Sequence, residues 1–442
     1  MIDTQAYPFE VRCPMHGSIP FNETERRIID HPFLQRLRAI SQLGFASLVY
    51  PGATHTRFSH SLGVMHLAGR VFDEIVQRTP SLAHGPFSPE ALDYFRRIVR
   101  LAGLLHDVGH PPFSHSFERL LPPRVALTLP LEWYRKPLPP GQATHEDFSV
   151  AVVYALAREK PQVLTLEEAR DVCALIELGI APTSRLDGNG RPECNIYPLL
   201  KQIISGEIDA DRMDYLRRDS HFAGVTYGMF DMTRIVQSLT ARLHPQGWSM
   251  VLDQNAVYTY ENFLIARFHM AMQVYLHKTV IPFEHYLSRA VEEQEIACPL
   301  DGSLENFLEA REDQIQSLWY SARDRPWCSR LFYRRPLTRL MQLDQSPEAG
   351  LRDEALRALG RAGIETIHIR TERRLSTLGL GGNGGLPPIS VLRMLLGREI
   401  LTPLQEASSL LEHYNQVFTI ENLYCAQEDA PAARKVLQKL LD

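Results

Sequence analysis

At 442 residues, with 44% hydrophobic and 22% charged side chains, the chain can bury a large core and hold two or three lobes; this is the composition of a soluble globular protein. A net charge of −5 gives no global pull towards nucleic acid or membrane, and no run of about eighteen apolar residues could span a bilayer. Six cysteines without a C-x-x-C pair exclude a zinc ribbon or a disulfide framework, and the N-terminus, with Asp3 and Glu10, lacks an apolar leader core, so a protein of the reducing cytoplasm is expected.

Residues 7–22 are short, mixed and turn-rich, and predict a small hairpin. Asn22-Glu23-Thr24-Glu25 offers a cap, after which Ile28, Ile29, Phe33, Leu37 and Ile40 recur at helical steps, predicting a helix over 24–40. A second helix is predicted over 61–77 (Leu62, Met65, His66, Val71, Ile75) and a third over 89–106 (Phe95, Ile98, Val99, Ala102, Leu105). Pro111-Pro112 then stops the helix, leaving His110 at or past its end and free to face a pocket. Residues 119–143 are proline-rich and read as an insertion or lid. Residues 180–196 hold Asp187-Gly188-Asn189-Gly190 and read as a second insertion with a hairpin-type turn. Residues 145–179 and 197–300 are mostly helical.

The last third reads as helical. Arg323, Arg325, Arg330, Arg334 and Arg335 form a basic cluster, read as a solvated helix face, with a phosphate or subunit contact as the alternative. The stretch 378–386 spells G-x-G-x-x-G but has no strand–turn–helix around it, and Pro387-Pro388 follows at once, so it reads as a linker. The expected fold is mainly α. It has a helical core over 1–300 with small β-hairpin elements and insertions near 119–143 and 180–196, followed by a helical C-terminal lobe over 301–442.

The chemistry concentrates early. Seven of the seventeen histidines fall between His55 and His115, which favours a site over scattered surface residues. His106 and Asp107 stand side by side in an apolar setting, an imidazole and a carboxylate suited to one metal ion. His60 upstream and an aspartate of the 209–214 segment downstream offer further ligands; Asp211 and Asp214 share a helix face, so spacing alone does not choose between them. Two imidazoles and two carboxylates suit Fe, Mn, Co, Ni or Zn better than Ca. His110, His115 and His145 are candidates for charge neutralisation and proton delivery in phosphoester hydrolysis, and His115 with Glu118 three residues on suggests an oriented acid pair. Arg57 is a candidate phosphate clamp.

Arg12-Cys13-Pro14-Met15-His16-Gly17, Ile29-Asp30-His31-Pro32-Phe33-Leu34-Gln35-Arg36-Leu37-Arg38, Gln42-Leu43-Gly44, Pro51-Gly52-Ala53, the run from His55 to Val64, and His106-Asp107-Val108-Gly109-His110-Pro111-Pro112 occur in that order. Over 11–118 and 144–290 the chain resembles the deoxynucleoside triphosphate triphosphohydrolases of the HD-domain family, the bacterial dGTPases and the SAM-and-HD-domain enzymes; its short N-terminal lead carries no SAM domain. The resemblance implies His60, His106, Asp107 and Asp211 as ligands of one divalent transition metal ion, with Mg on the triphosphate. It implies His110, His115, Glu118 and His145 for proton and α-phosphate work, and Arg57, Arg267, His277 and Lys278 for the phosphates. Gln42, Leu43, Tyr215 and Asp219 match sugar-reading positions, and Tyr275 the residue that crowds a 2′-hydroxyl.

It further implies a homo-oligomer, dimer or tetramer, and a nucleotide activator site at Asp30, Gln35, Arg38 and Arg234. That site departs from the pattern: Phe9 stands where a lysine is expected, and Cys13-Pro14 replaces Asp-Pro. Asp30 and Arg38 then have a simpler reading as an ion pair at a subunit interface. The expected function is hydrolysis of a dNTP to a deoxynucleoside and inorganic triphosphate. The alternatives are an HD-domain phosphohydrolase acting on a monophosphate, a cyclic nucleotide or a single-stranded nucleic acid end, and a non-catalytic dNTP-sensing oligomer.

Overall fold

Asn22 caps a helix as its side chain dictates, accepting from the Glu25 amide at 2.9 Å while the Glu25 carboxylate reaches back to the Asn22 amide at 3.0 Å. The helix is shorter than predicted. His31 precedes a proline and lies in extended backbone (φ −69°, ψ 139°), so the expected 24–40 helix breaks into Glu23–Ile29, Pro32–Arg36 and a 3-10 turn at Leu37–Ala39. This computed structural model describes residues 7–441 apart from 161, 344–348, 375–386, 388, 409 and 412–416; the glycine-rich 378–386 stretch lies outside the described residues.

The N-terminal hairpin forms as expected from β1 (Phe9–Cys13) and β2 (Gly17–Phe21), paired antiparallel. The core is built on two long helices, Arg57–Arg78 and Pro89–Leu105. Ser88 caps the second and Pro89 occupies its first turn, where no amide hydrogen is needed. Val64, Met65, Leu67, Val71 and Ile75 of one helix and Ile98, Val99, Leu101, Leu104 and Leu105 of the other are all fully buried. Each such side chain contributes about 1.5–3 kcal/mol by leaving water. The helices His145–Arg158, Leu166–Ile176, Tyr197–Ser205 and Ala210–Ala223 complete the core.

The 180–196 insertion is not a hairpin. It runs as short helical turns at Ser184–Asp187, Gly188–Gly190 and Pro192–Cys194, because the Asp187 carboxylate accepts from the Asn189 amide at 2.9 Å and Asn189 adopts φ 56°. The 119–143 insertion packs down, with Trp133 buried and Arg124 donating to Asp147 at 2.8 Å. A hairpin, β3 (Leu239–His244) and β4 (Gly247–Asp253), interrupts the stretch predicted as helical.

The last third is mixed, not purely helical. It contributes β5 (Thr338–Leu343), β6 (Thr366–Arg374), β7 (Ser390–Leu395), β8 (Arg398–Pro403) and β9 (Val417–Cys425). Strands β7 and β8 extend the core hairpin into a sheet of order β3-β4-β7-β8, with β4 and β7 parallel from Val251 opposite Ser390. A separate sheet of order β5-β9-β6 packs under helices Ala349–Arg361 and Ala430–Leu441 around Ala355, Leu359, Leu423 and Ala433. The basic cluster is partly used in stacking: Arg330 lies 4.9 Å from the Trp327 ring and Arg335 5.3 Å from that of Tyr333. The chain as a whole is mainly α. Among the described residues no helix is long and apolar enough to cross a membrane.

Candidate active site

His60 sits in the first turn of the Arg57–Arg78 helix, 1% exposed. Its Nδ1 lies 2.8 Å from Asp214 Oδ2, which leaves Nε2 facing Asp211 Oδ1 at 3.0 Å. Asp214 is itself gripped by His16 Nε2 at 2.6 Å and by the Arg218 guanidinium at 2.7 and 2.9 Å. Burial pushes the Asp214 carboxyl up, but Arg218, His16 and His60 outweigh it and hold it well below the usual carboxylate range. The Asp214–Arg218 pair occupies a notch left by Gly63: a Cβ there would meet Asp214 Oδ1 at 2.1 Å and Arg218 Nη2 at 2.4 Å. Asp209 caps the Ala210–Ala223 helix by accepting from the Arg212 amide at 2.8 Å. Geometry therefore separates the three aspartates: Asp209 caps, Asp214 orients His60 from behind, and Asp211 faces forward.

Leu105 ends the second long helix and His106 is its C-cap. His106 Nδ1 lies 2.9 Å from the Gly103 carbonyl, which it meets as a donor; this fixes the tautomer and turns the Nε2 lone pair outward. That Nε2 is buried and has no hydrogen-bond partner. It lies 3.4 Å from Asp107 Oδ1 and 3.5 Å from Asp211 Oδ1, while Asp107 Oδ2 is 3.6 Å from His60 Nε2. Ligand atoms of His60, His106 and Asp211 all fall within 4.8 Å of one another. Burial opposes charging His60, but Asp211 and Asp214 raise its pKa to about 10; the same carboxylates would hold a cation in place of that proton. An orphaned imidazole nitrogen among imidazole and carboxylate donors fits a divalent transition metal.

Behind this cluster the chain packs tightly. A Cβ on Gly109 would come within 2.1 Å of the His145 carbonyl, so the His106–Asp107 turn presses on the start of the His145–Arg158 helix. Ser149 Oγ ties the two together, donating to the His106 carbonyl at 2.8 Å and accepting from the Gly109 amide at 3.0 Å. The His110 and His145 rings stack at 4.0 Å. Burial, Arg57 and His145 lower the His110 pKa well below its ordinary value. Burial also opposes charge on His145, but Glu118 and Glu146 raise its pKa.

The expected pair of His115 with Glu118 lies partly outside the described residues, and Glu118 has a partner further along the chain. Glu118 Oε1 meets His145 Nδ1 at 2.6 Å, and the side chain of His115 lies outside the described residues. The sequence missed this pairing because 27 positions separate the two residues. Arg57 donates to Asp107 Oδ2 at 2.5 Å and to Ser114 Oγ at 2.9 Å.

A cavity of about 480 Å3 opens from here, with Arg57, Asp107, His110, His145 and Asp211 at one part of its wall and Gln42, Leu43, Tyr215, Asp219, Arg267 and Tyr275 at another. Asp219 accepts from Tyr275 Oη at 2.9 Å and meets His55 Nε2 at 2.7 Å. Gln42 Oε1 and Arg267 Nη1 are buried without hydrogen-bond partners. Ser114, Arg119 and Glu284 also line the wall and were not anticipated; Arg119 was signalled only by its neighbour Glu118.

His277 and Lys278 are not brought to the cavity wall. The helix Val257–Met270 runs into a π turn, Ala271–Tyr275, that carries Tyr275 inward and leaves His277 half-buried, edge-on to Tyr50 at 6.0 Å, with Lys278 exposed. The expected activator residues hold local contacts. Arg38 donates to Gln35 Oε1 at 2.8 Å and stacks 3.7 Å from the Phe58 ring; Gln35 donates to the Ile29 carbonyl at 2.7 Å. Asp30 pairs with Arg26 at 3.5 Å, not with Arg38, and Arg234 is exposed.

Two family models match: the HD domain over residues 57–219 and the HD associated region over residues 230–317. The chain carries an HD domain followed by an HD associated region. It is 33% identical to an uncharacterized protein of Methanocaldococcus jannaschii over 281 residues, covering 64% of this chain and 49% of that protein. It is 35% identical over 243 residues to the Homo sapiens deoxynucleoside triphosphate triphosphohydrolase SAMHD1, covering 51% of this chain and 35% of that one. The chain spans about half the length of the first curated relatives it matches. A crystal structure of a hypothetical protein from Aquifex aeolicus, 29% identical, superposes with a TM-score of 0.73 over 97% of this chain and 99% of that one.

Proposed function

We propose that the chain is a metal-dependent dNTP triphosphohydrolase that releases a deoxynucleoside and inorganic triphosphate. The observation that carries this reading is the orphaned His106 Nε2, set among His60, Asp107 and Asp211, the last two lining a cavity that Tyr275 and Asp219 also line. The similarity to SAMHD1, a dNTP triphosphohydrolase by name, supports the choice of substrate. His60, His106, Asp107 and Asp211 would hold the ion, whose contribution when bound is Lewis acidity.

The remaining roles belong to the chain's own side chains. Arg57 and Arg267 supply fixed positive charge for phosphate oxygens. His145, its pKa raised with Glu118 at Nδ1, is the group best placed to protonate the leaving 5′-oxygen. Asp219, pinned by His55 and Tyr275, offers a carboxylate to a sugar hydroxyl, and the Tyr275 ring takes up space beside it. Water adds to the α-phosphorus, the bond to the 5′-oxygen breaks, and that oxygen leaves with a proton. A homo-oligomer, dimer or tetramer, goes with this reading, and its turnover is less dependent on GTP than in relatives that retain the lysine, because Phe9, stacked on Phe21 at 5.7 Å, brings no charge of its own to a triphosphate. Light scattering and a GTP titration check both points.

The decisive experiment is product analysis by phosphorus NMR with the four dNTPs and four rNTPs. Triphosphate and deoxynucleoside in equal amounts, from dNTPs in preference to rNTPs, are expected. Release of monophosphate or pyrophosphate, or equal turnover of dGTP and GTP, overturns the reading.

A further inference from the structure

A second cavity, about 460 Å3 and so nearly as large as the first, opens further along the His60 helix. Its wall includes His66, Arg70 and Glu74 of that helix, Arg96 and Arg100 of the neighbouring one, and His16 of the N-terminal hairpin turn. It shares no lining residue with the candidate active site, and none with the Asp30, Gln35, Arg38 and Arg234 set.

Two of its arginines are already neutralised. Arg96 grips Asp73 at 2.7 and 2.9 Å, Arg100 grips Glu25 at 2.6 and 2.9 Å, and both guanidiniums lie over the Tyr7 ring at about 5 Å. Arg70 is different: it is exposed and makes no ion pair or hydrogen bond among the described residues. His16 is different again. Its side chain is 2% exposed, Nε2 is committed to Asp214, and Nδ1 is buried with no hydrogen-bond partner. An unmet polar atom at that depth costs free energy unless something fills the cavity beside it. The His66 ring lies 5.5 Å from the His16 ring; burial first, and then His16, Arg100, Arg70 and Arg96, push its pKa down to about 3. Two acidic groups stand at the wall: Asp73, which Arg96 grips, and Glu74, four residues from Arg70 on the same helix face.

We propose that this cavity binds a small hydroxylated phosphate ester. Its phosphate meets Arg70 and His66, and its hydroxyls donate to His16 Nδ1 and to Glu74. The site is wired to the metal-binding cluster by side chains alone: His16 Nε2 to Asp214 Oδ1 at 2.6 Å, then Asp214 Oδ2 to His60 Nδ1 at 2.8 Å. A ligand that draws on His16 Nδ1 changes the hydrogen bond at the other end of the same ring, and through Asp214 the basicity of His60. Occupancy therefore shifts metal affinity. The binding itself does not rest on the dNTP reading; the coupling rests only on the metal site.

The test is calorimetric titration of the full chain with ribose 5-phosphate, inorganic phosphate and citrate, repeated in an Arg57→Ala background that disables the first cavity. One ribose 5-phosphate per chain is expected to bind in that background, and Arg70→Gln or His66→Leu should weaken it about tenfold or more. Unfolding temperatures of both variants check that the fold is intact. No saturable binding, or binding that both variants leave unchanged, overturns the site. Citrate binding without ribose 5-phosphate binding overturns the phosphate assignment. The coupling is read separately, by chelator competition for the bound metal with and without saturating ribose 5-phosphate. A severalfold change is expected in the wild type, and none after Arg70→Gln. An unchanged metal affinity in the wild type, with the ligand bound, overturns the wiring and leaves the dNTP reading untouched.

Discussion

The helical core and the C-terminal sheet both bury charged side chains, but to different ends. In the core, Asp107, Asp214, Arg218 and Asp219 are buried, and near them His106 Nε2, Gln42 Oε1 and Arg267 Nη1 are buried without a hydrogen bond. In the C-terminal sheet, Glu421 is buried on β9 and takes Arg352 and His368 at 3.0 Å each, across the sheet and from the helix above it. Buried charge that closes on itself is architecture; buried charge that ends in unmet atoms around a cavity is a candidate for chemistry.

The comparison breaks most sharply at Asp107. Asp107→Ala should remove bound metal and turnover together while leaving the circular dichroism spectrum intact, and metal content and dNTP hydrolysis on one sample decide it. Full activity in a metal-free variant would defeat the site. Asp214→Asn acts one step back. It should lower metal affinity about ten- to a hundredfold and, by stranding Arg218, cost about 3–5 kcal/mol of stability, both readable from metal titration and thermal unfolding. A variant with normal metal affinity would show that Asp214 only staples the helices.

Tyr275→Ala should narrow the preference for dNTPs over rNTPs about ten- to a hundredfold, measured as a ratio of kcat/KM.

Lys201 tests a buried charge that faces neither cavity. Its ammonium donates to the Leu175 and Ile176 carbonyls at 2.8 and 2.9 Å, and burial pulls its pKa from 10.5 to about 8. Below about pH 8 both states carry the proton and the cost is borne in full. Between there and 10.5 only the unfolded chain binds it, so stability rises with pH across that window. Urea midpoints of wild type and Lys201→Met at pH 7.5 and 10 should diverge by about 2–3 kcal/mol, and parallel curves would contradict the shift. The smallest effect belongs to the C-terminal sheet: Leu359→Ala, in its separate core, should cost about 2 kcal/mol and leave metal content unchanged.

Much of the core was legible because its signals are local. The Asn22 cap, the apolar steps of residues 61–77 and 89–105 and the proline stop all act within a few residues. What failed had a nonlocal or overlooked cause. The broken 24–40 helix turns on His31 preceding Pro32, a rule the apolar steps outweighed. The alternation Ile367, Ile369 against His368, Arg370 is a strand period that was available and passed over. At the site, the convergence of His60, His106, Asp107 and Asp211 followed from motif order. The contact of Glu118 with His145, and the π turn that parts Tyr275 from His277, depend on packing that spacing does not encode.

The parallel pairing of β4 with β7 sets a timetable for synthesis. Val251 must wait for Ser390, so as the chain leaves the ribosome β4 stands with one edge open for some 140 residues of translation. An open strand edge accepts any other strand on offer. A product cut short between residues 253 and 390 keeps that edge for good, and should be recovered as aggregate or bound to a chaperone even though every candidate metal ligand is present in it.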